Sequence, residues 1–121
     1  TLSHIDPVYA NFLFTGEGIR LIDWEYAGMA DPLIDFAMAT IYAEKGFAYA
    51  KRLLDYYGDT DVPRERAEQL VIAYMALGGF LWALWAVYKE ALGVSFGTYP
   101  LTQYRYAKEG YAYLAKTVKE L

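Results

Sequence analysis

Near its start the chain reads His4-Ile5-Asp6-Pro7-Val8-Tyr9-Ala10-Asn11, and a second aspartate follows twelve residues after Asn11 in Leu21-Ile22-Asp23-Trp24-Glu25-Tyr26. These residue types at this spacing suit phosphoryl transfer. Asp6 would accept the proton of an attacking hydroxyl, the amide oxygen of Asn11 five residues on would hold a magnesium ion, and Asp23 would hold the metal that bridges nucleotide phosphates. His4 would orient the loop by hydrogen bonding rather than take a proton. Each residue also has a plainer reading. A lone histidine beside apolar residues is commonly a satisfied structural group, Asp6 before Pro7 is a common turn pair, and Asp23 could be an ordinary strand-end carboxylate. The joint pattern of loop, strand, turn and strand favours the chemistry.

For these side chains to meet, the chain between them must double back. Asn11 to Thr15 and Ile19 to Trp24 are short, rich in β-formers and separated by Gly16-Glu17-Gly18, which reads as a β-hairpin. Asn11 would open one strand and Asp23 would close its partner. After Trp24 the period changes to a helical one. Asp31-Pro32 offers a cap and a first-turn proline, and Leu33, Ile34, Ala37, Met38, Ile41 and Tyr42 form a stripe. A break near Gly46 precedes a second helix bearing Phe47, Ala50, Leu53, Leu54 and Tyr57, which Gly58 should stop. A long central helix begins at Asp61-Val62-Pro63 and ends near Gly93. Pro100 opens the last helix, with Tyr104, Ala107, Tyr111, Leu114, Val118 and Leu121 as its expected inner face. The plan is a single domain, 1–121, that is mainly α with a small β-hairpin.

Composition removes several function classes. Eleven Lys and Arg against fifteen Asp and Glu give a net charge of −4, with a sequence pI near 4.9 and no basic run, which argues against nucleic-acid partners. Zero cysteines exclude disulfides, thiolate metal sites and cysteine nucleophiles, and one histidine excludes a multi-histidine metal site. A chain that is 56% hydrophobic is not disordered. Leu70 to Tyr88 is nineteen residues without a charge, long enough for a membrane span. Gly78-Gly79 at its middle and charges closing in at both ends favour a buried central helix instead, so no membrane span is expected.

The two motifs make the chain resemble the choline/ethanolamine kinase family, within the kinase-like phosphotransferases that include the aminoglycoside phosphotransferases. H-x-D-x-x-x-x-N is similar to the family's catalytic loop, and Ile22-Asp23-Trp24-Glu25-Tyr26 to its metal-binding segment. Asp35 is similar to the helix aspartate that braces the loop, and Phe80-Leu81-Trp82-Ala83-Leu84-Trp85, with Phe96-Gly97 after it, to the family's paired-tryptophan segment. The resemblance implies the C-terminal lobe of a protein-kinase-like fold and an ATP- and Mg²⁺-dependent kinase acting on choline or a related amino alcohol. Asp6 and His4 would form the catalytic loop, Asn11, Asp23 and Glu25 the metal site, and Trp82 and Trp85 the walls of the cation pocket. Two tryptophans three residues apart share a helix face, and indole faces attract a quaternary ammonium by about 0.5–2 kcal/mol per ring. The family usually carries a glutamate seven residues after the position of Asp35. Tyr42 stands there in this chain, and Glu44 is the nearest acid, about 200° away around a regular helix. Tyr99 or Tyr104 could complete the cage.

A kinase of this kind also needs an N-terminal lobe with a phosphate-covering loop and a Lys–Glu pair. The chain is therefore expected to be the C-terminal lobe of a longer cytoplasmic enzyme, inactive alone and prone to self-association. The rivals are a kinase of another small alcohol (an aminoglycoside, thiamine or a sugar) and a non-catalytic ligand-binding module on the same fold.

Overall fold

In the computed structural model, which describes residues 1–118, the chain opens on a two-residue strand, β1 (Leu2–Ser3), paired antiparallel with β4 (Gly28–Met29) as Leu2↔Met29 and Ser3↔Gly28. Inside this outer pair lies the hairpin read from the sequence, β2 (Phe12–Thr15) against β3 (Gly18–Leu21), in register from Phe12↔Leu21 to Thr15↔Gly18, but Asn11 and Asp23, expected inside its strands, lie just beyond its open end. The two ribbons are thus nested. Between them the ladder is interrupted, and the two motifs face each other as the two sides of that interruption. A 3₁₀ turn at Tyr9–Asn11 ends the first side.

Four helices follow: α1 (Leu33–Tyr42), α2 (Phe47–Tyr57), α3 (Arg64–Ala91) and α4 (Tyr99–Thr117). Asp31 caps α1, its Oδ1 accepting the Leu33 amide at 2.9 Å. Gly58 stops α2 in the left-handed region (φ 85°). Gly93 does the same for α3 at φ 87°, closing a Schellman turn in which its amide bonds the Glu90 carbonyl and the Val94 amide the Lys89 carbonyl.

The core joins Leu33, Ala37, Met38 and Ile41 of α1 to Ala50 and Leu54 of α2, Ala67, Val71 and Met75 of α3, and Tyr106 of α4. Small residues decide how these helices approach. A Cβ on Gly79 would lie 2.5 Å from the Gln103 carbonyl oxygen and 2.8 Å from Tyr106 Cβ, and one on Gly110 2.8 Å from Ala76 Cβ. The face of α4 turned to α3 is therefore Gln103, Tyr106 and Gly110, which corrects the face expected from the apolar pattern. Tyr104 is 47% and Tyr111 75% exposed, Val118 is exposed too, and Leu121 lies outside the described residues. The central helix also departs from expectation. It is long and apolar enough to cross a membrane by length and composition, and 39% of its apolar window is buried in this chain. One stripe packs on α1 and α4, while Leu77, Leu81, Leu84 and Tyr88 remain exposed, because no third layer covers that side among the described residues.

Candidate active site

Backbone strain marks the loop. Ile5, next to Asp6, has φ 69°, a left-handed conformation costing a β-branched residue about 1–3 kcal/mol. Asp35 holds it there. Its Oδ1 accepts the Ile5 amide at 2.7 Å and its Oδ2 the His4 amide at 2.9 Å, so one carboxylate on α1 clamps two consecutive backbone donors. Asp23, across the interruption, is likewise left-handed at φ 62°.

The two sides are tied by a short set of bonds. His4 Nε2 donates to the Ile22 carbonyl at 2.8 Å, and the Ile22 amide donates to the Asn11 carbonyl at 2.9 Å. A carbonyl can only accept, so the His4 proton sits on Nε2, and the 1%-exposed ring acts as a strut. Trp24 packs edge-on to His4 at 4.8 Å between ring centroids and donates its indole N–H to the Leu21 carbonyl. That link between the motifs was not expected from the sequence, although Trp24 lies inside the motif itself.

Asn11 donates its side-chain nitrogen to the Asp6 carbonyl at 3.0 Å, which leaves its amide oxygen as an unused acceptor. Asp23 and Glu25 are exposed and form no ion pair among the described residues. This set of hard oxygen donors fits Mg²⁺, which favours one or two carboxylates completed by water and phosphate over an all-protein cage. No group of three or more His, Cys, Asp or Glu with metal-holding geometry occurs among the described residues.

Asp6 opens onto an aromatic cavity of about 460 Å³ walled by Tyr42, Trp82, Trp85, Phe96 and Tyr99, with Val8, Tyr9 and Ala10 at its rim. A second cavity of about 320 Å³, lined also by Ile5, Tyr26, Met38 and Leu81, shares Asp6, Tyr42, Trp82 and Trp85 with it. The rings run in sequence: Tyr42 to Trp82 at 6.0 Å, Trp82 to Trp85 at 5.5 Å and nearly perpendicular, Trp85 to Phe96 at 5.0 Å, Phe96 to Tyr99 at 6.3 Å. Asp6 is the one charged residue in the walls of either cavity. Lys89, one turn beyond Trp85, places its ammonium 5.7 Å from the Trp85 ring centroid, a cation–π contact its i,i+4 spacing permits. A separate cleft of about 290 Å³, bordered by Asp31, Asp59 and Asp61, shares no residue with the loop.

Tyr42, not Glu44, occupies the wall. α1 ends in a Schellman turn in which the Glu44 amide bonds the Ile41 carbonyl and the Lys45 amide the Thr40 carbonyl, with Glu44 itself left-handed at φ 52°. Continuing the helix would turn Glu44 about 200° from Tyr42 and away from the cavities, and its side chain stands exposed outside both of them. Tyr104 is also outside, and Tyr99 takes the place considered for either. Burial raises the Tyr42 phenol above its ordinary range, and the Asp6 carboxylate raises it further. Tyr99 is raised by burial first, then by Glu44 and Asp6.

A model of the phosphotransferase enzyme family matches residues 1–69. Protein LicA of Haemophilus influenzae is 34% identical over 103 residues, covering 81% of this chain and 39% of that protein. The crystal structure of choline kinase LicA from Streptococcus pneumoniae superposes with a TM-score of 0.72 at 35% identity, over 93% of this chain and 40% of that one. A choline/ethanolamine kinase family protein from Mesorhizobium loti gives 0.71 at 26% identity, over 94% and 39%, and a LicA complex with AMP gives 0.74 at 34%, over 93% and 39%. The chain spans about two fifths of the length of these relatives. With the loop, the strut and the aromatic wall all in place, the chain belongs to the phosphotransferase enzyme family, and its fold is that of the choline kinase structures on which it superposes.

Proposed function

We propose that these residues form the catalytic-loop lobe of an ATP-dependent kinase that phosphorylates the hydroxyl of choline or a closely related amino alcohol. The observation that carries this reading is the lone carboxylate of Asp6 at the edge of a cavity otherwise walled by aromatic rings. An alkylated ammonium has no N–H to satisfy and is held by ring faces, whereas a polycationic aminoglycoside calls for several carboxylates. Asp6 would accept the proton of the substrate hydroxyl as the oxygen attacks the γ-phosphorus in line. Trp82 and Trp85 would hold the cation so that this hydroxyl reaches Asp6, with Tyr42 and Tyr99 closing the wall. Asn11 and Asp23, with Glu25 beside them, would hold Mg²⁺, which when bound supplies positive charge to the transferring phosphate. The nucleotide-covering lobe would lie in the part of the parent protein outside these 121 residues, and the isolated chain would be inactive and self-associating through its uncovered apolar surface. The AMP complex of the LicA relative supports the nucleotide, and the lengths of the relatives support the two-lobe reading.

The test is a panel of choline, ethanolamine, thiamine and an aminoglycoside with the full-length protein, ATP and magnesium. Choline or ethanolamine should be phosphorylated far faster than the others. In the same protein Asp6→Asn should abolish transfer with little loss of choline affinity. Turnover of the aminoglycoside alone, or an active Asp6→Asn enzyme, refutes the reading.

A further inference from the structure

Trp85 already carries a positive charge. Lys89 lies four residues on, in the last turn of α3, and its ammonium stands 5.7 Å from the Trp85 ring centroid. That spacing puts the two side chains on one helix face, and an ammonium within about 6 Å of an indole face is attracted to it. Lys89 belongs to none of the ion pairs among the described residues, although Glu90 is its neighbour in the chain. The ring is its partner instead.

Both members of this contact are held in place. The Lys89 carbonyl accepts the Leu92 and Val94 amides, each at 3.0 Å, in the turn that ends the helix, and a cation in the last turn is favoured by the helix dipole. The indole sits edge-on to Trp82 at 5.5 Å and tilted against Phe96 at 5.0 Å.

Trp85 lines both aromatic cavities, and Lys89 borders neither. The lysine therefore occupies indole surface that the cavities leave free, while a bound cation would meet the surface that faces them. An ammonium held in a cavity by the same ring would lie about 8–12 Å from Lys89. At that separation two positive charges repel, and the repulsion depends on salt because the ring is partly exposed. Asp6, the one charge in the cavity walls, attracts every ammonium. Lys89 subtracts from that attraction, and it subtracts most from a ligand that extends a second ammonium past Trp85.

We propose that Lys89 is a specificity-determining residue, a resident cation on the Trp85 surface outside the cavities that lowers the affinity of the aromatic wall for ammonium ligands and disfavours those bearing a second positive charge. The inference rests on the kinase reading above only in taking the wall as a cation site; the Lys89–Trp85 contact stands without it.

The test measures binding without turnover. Tetramethylammonium and the bis-quaternary hexamethonium are titrated calorimetrically into the full-length protein as wild type, Lys89→Met and Lys89→Arg, at ionic strengths of about 20 and about 500 mM. Lys89→Met keeps an unbranched side chain over the ring and removes the charge. At the lower salt it should bind tetramethylammonium about 2- to 4-fold more tightly than wild type, and hexamethonium should gain by a larger factor, with Lys89→Arg close to wild type. At the higher salt, where charges are screened beyond about 4 Å, these differences should vanish. A change in ring position caused by the lysine stem would persist in salt. Equal affinities at low salt, weaker binding to Lys89→Met, a hexamethonium gain no larger than that of tetramethylammonium, or a difference that survives high salt overturns the proposal. Failure of all three proteins to bind tetramethylammonium overturns it as well and removes the cation wall with it. A full-length protein that shows the expected salt-dependent gain yet does not phosphorylate choline refutes the kinase reading and leaves the role of Lys89 standing.

Discussion

Asp35→Asn separates a clamp from a bystander. The wild-type carboxylate accepts two amides at 2.7 and 2.9 Å. In the asparagine one oxygen can keep one of them, and the new NH₂ group faces the other N–H, donor against donor. A partly buried amide left without a partner costs about 1–3 kcal/mol, and replacing a charged acceptor by a neutral one weakens the surviving bond by about 1 kcal/mol. The loss has a ceiling, because Ile5 at φ 69° is released from about 1–2 kcal/mol of strain once the loop lets go. The net centres on about 1.5 kcal/mol, which for a domain of this size lowers Tm by about 6 °C. Thermal unfolding followed by circular dichroism gives the Tm, and native-state hydrogen exchange at the His4 and Ile5 amides gives the local effect, a loss of protection larger than the global one. Ile5→Gly should recover less stability in the Asp35→Asn background, where the strain is already released, than the same change gives in wild type. A Tm within about 2 °C of wild type, with both amides as protected as before, refutes the clamp.

Three further outcomes follow from the same geometry. Trp85→Ala removes one ring from the proposed cation wall and should raise the choline KM of the full-length enzyme about 2- to 30-fold with a smaller change in kcat, the range spanned by about 0.5–2 kcal/mol; an unchanged KM takes Trp85 out of the site. Glu44→Gly relieves a left-handed φ of 52° on an exposed residue and should raise Tm by about 2–4 °C without altering KM; a raised KM would return Glu44 to the substrate. Burial works against ionisation of Glu68, yet Lys51 at 2.8 Å and Arg64 at 3.0 Å outweigh it and hold the carboxyl below its ordinary range. A depressed carboxylate stabilises the fold above its unfolded value and loses that contribution as pH falls through the folded one, so the Tm gap between wild type and Glu68→Gln should narrow from about pH 6 to about pH 3.

What the sequence disclosed was whatever is encoded locally. The β2–β3 hairpin, the α1 stripe and the stops at Gly58 and Gly93 each rest on neighbours a few residues apart, and all are present. The β1–β4 pair carries no such signal, since two residues on each side cannot show an alternation and their partnership is non-local. The α4 face was misjudged for a related reason. Apolar periodicity marks where burial is profitable, but the approach to α3 is set by Gly79 and Gly110, where the backbones come too close for a Cβ. In the site, spacing pointed to Asp6, Asn11 and Asp23, and the family resemblance to Asp35 and the tryptophan pair. Choosing between Tyr42 and Glu44 required knowing where α1 ends, and a Schellman turn with glutamate in place of glycine does not announce itself. Phe96 and Tyr99 enter the wall through the path of the α3–α4 connection, which no helical period describes.

The nested ribbons explain why the chemistry sits where the ladder fails. A residue within a regular antiparallel pair has its amide and carbonyl engaged and its side chain fixed to one face. Freeing Asp6 and Asp23 to point across the chain requires an unpaired stretch, and that stretch then has backbone groups and strain to be satisfied from elsewhere. α1 supplies this from outside the sheet, through Asp35 at the backbone and Tyr42 beside the side chain. Its own position is in turn set by α3, where a Cβ on Gly78 would lie 2.9 Å from Met38 Sδ, and by α4 through the Gln103–Ile41 bond. Fixing the loop that bears Asp6 is thus a property of three packed helices rather than of the loop itself, and a fault in that packing would be felt first as a displaced Asp6.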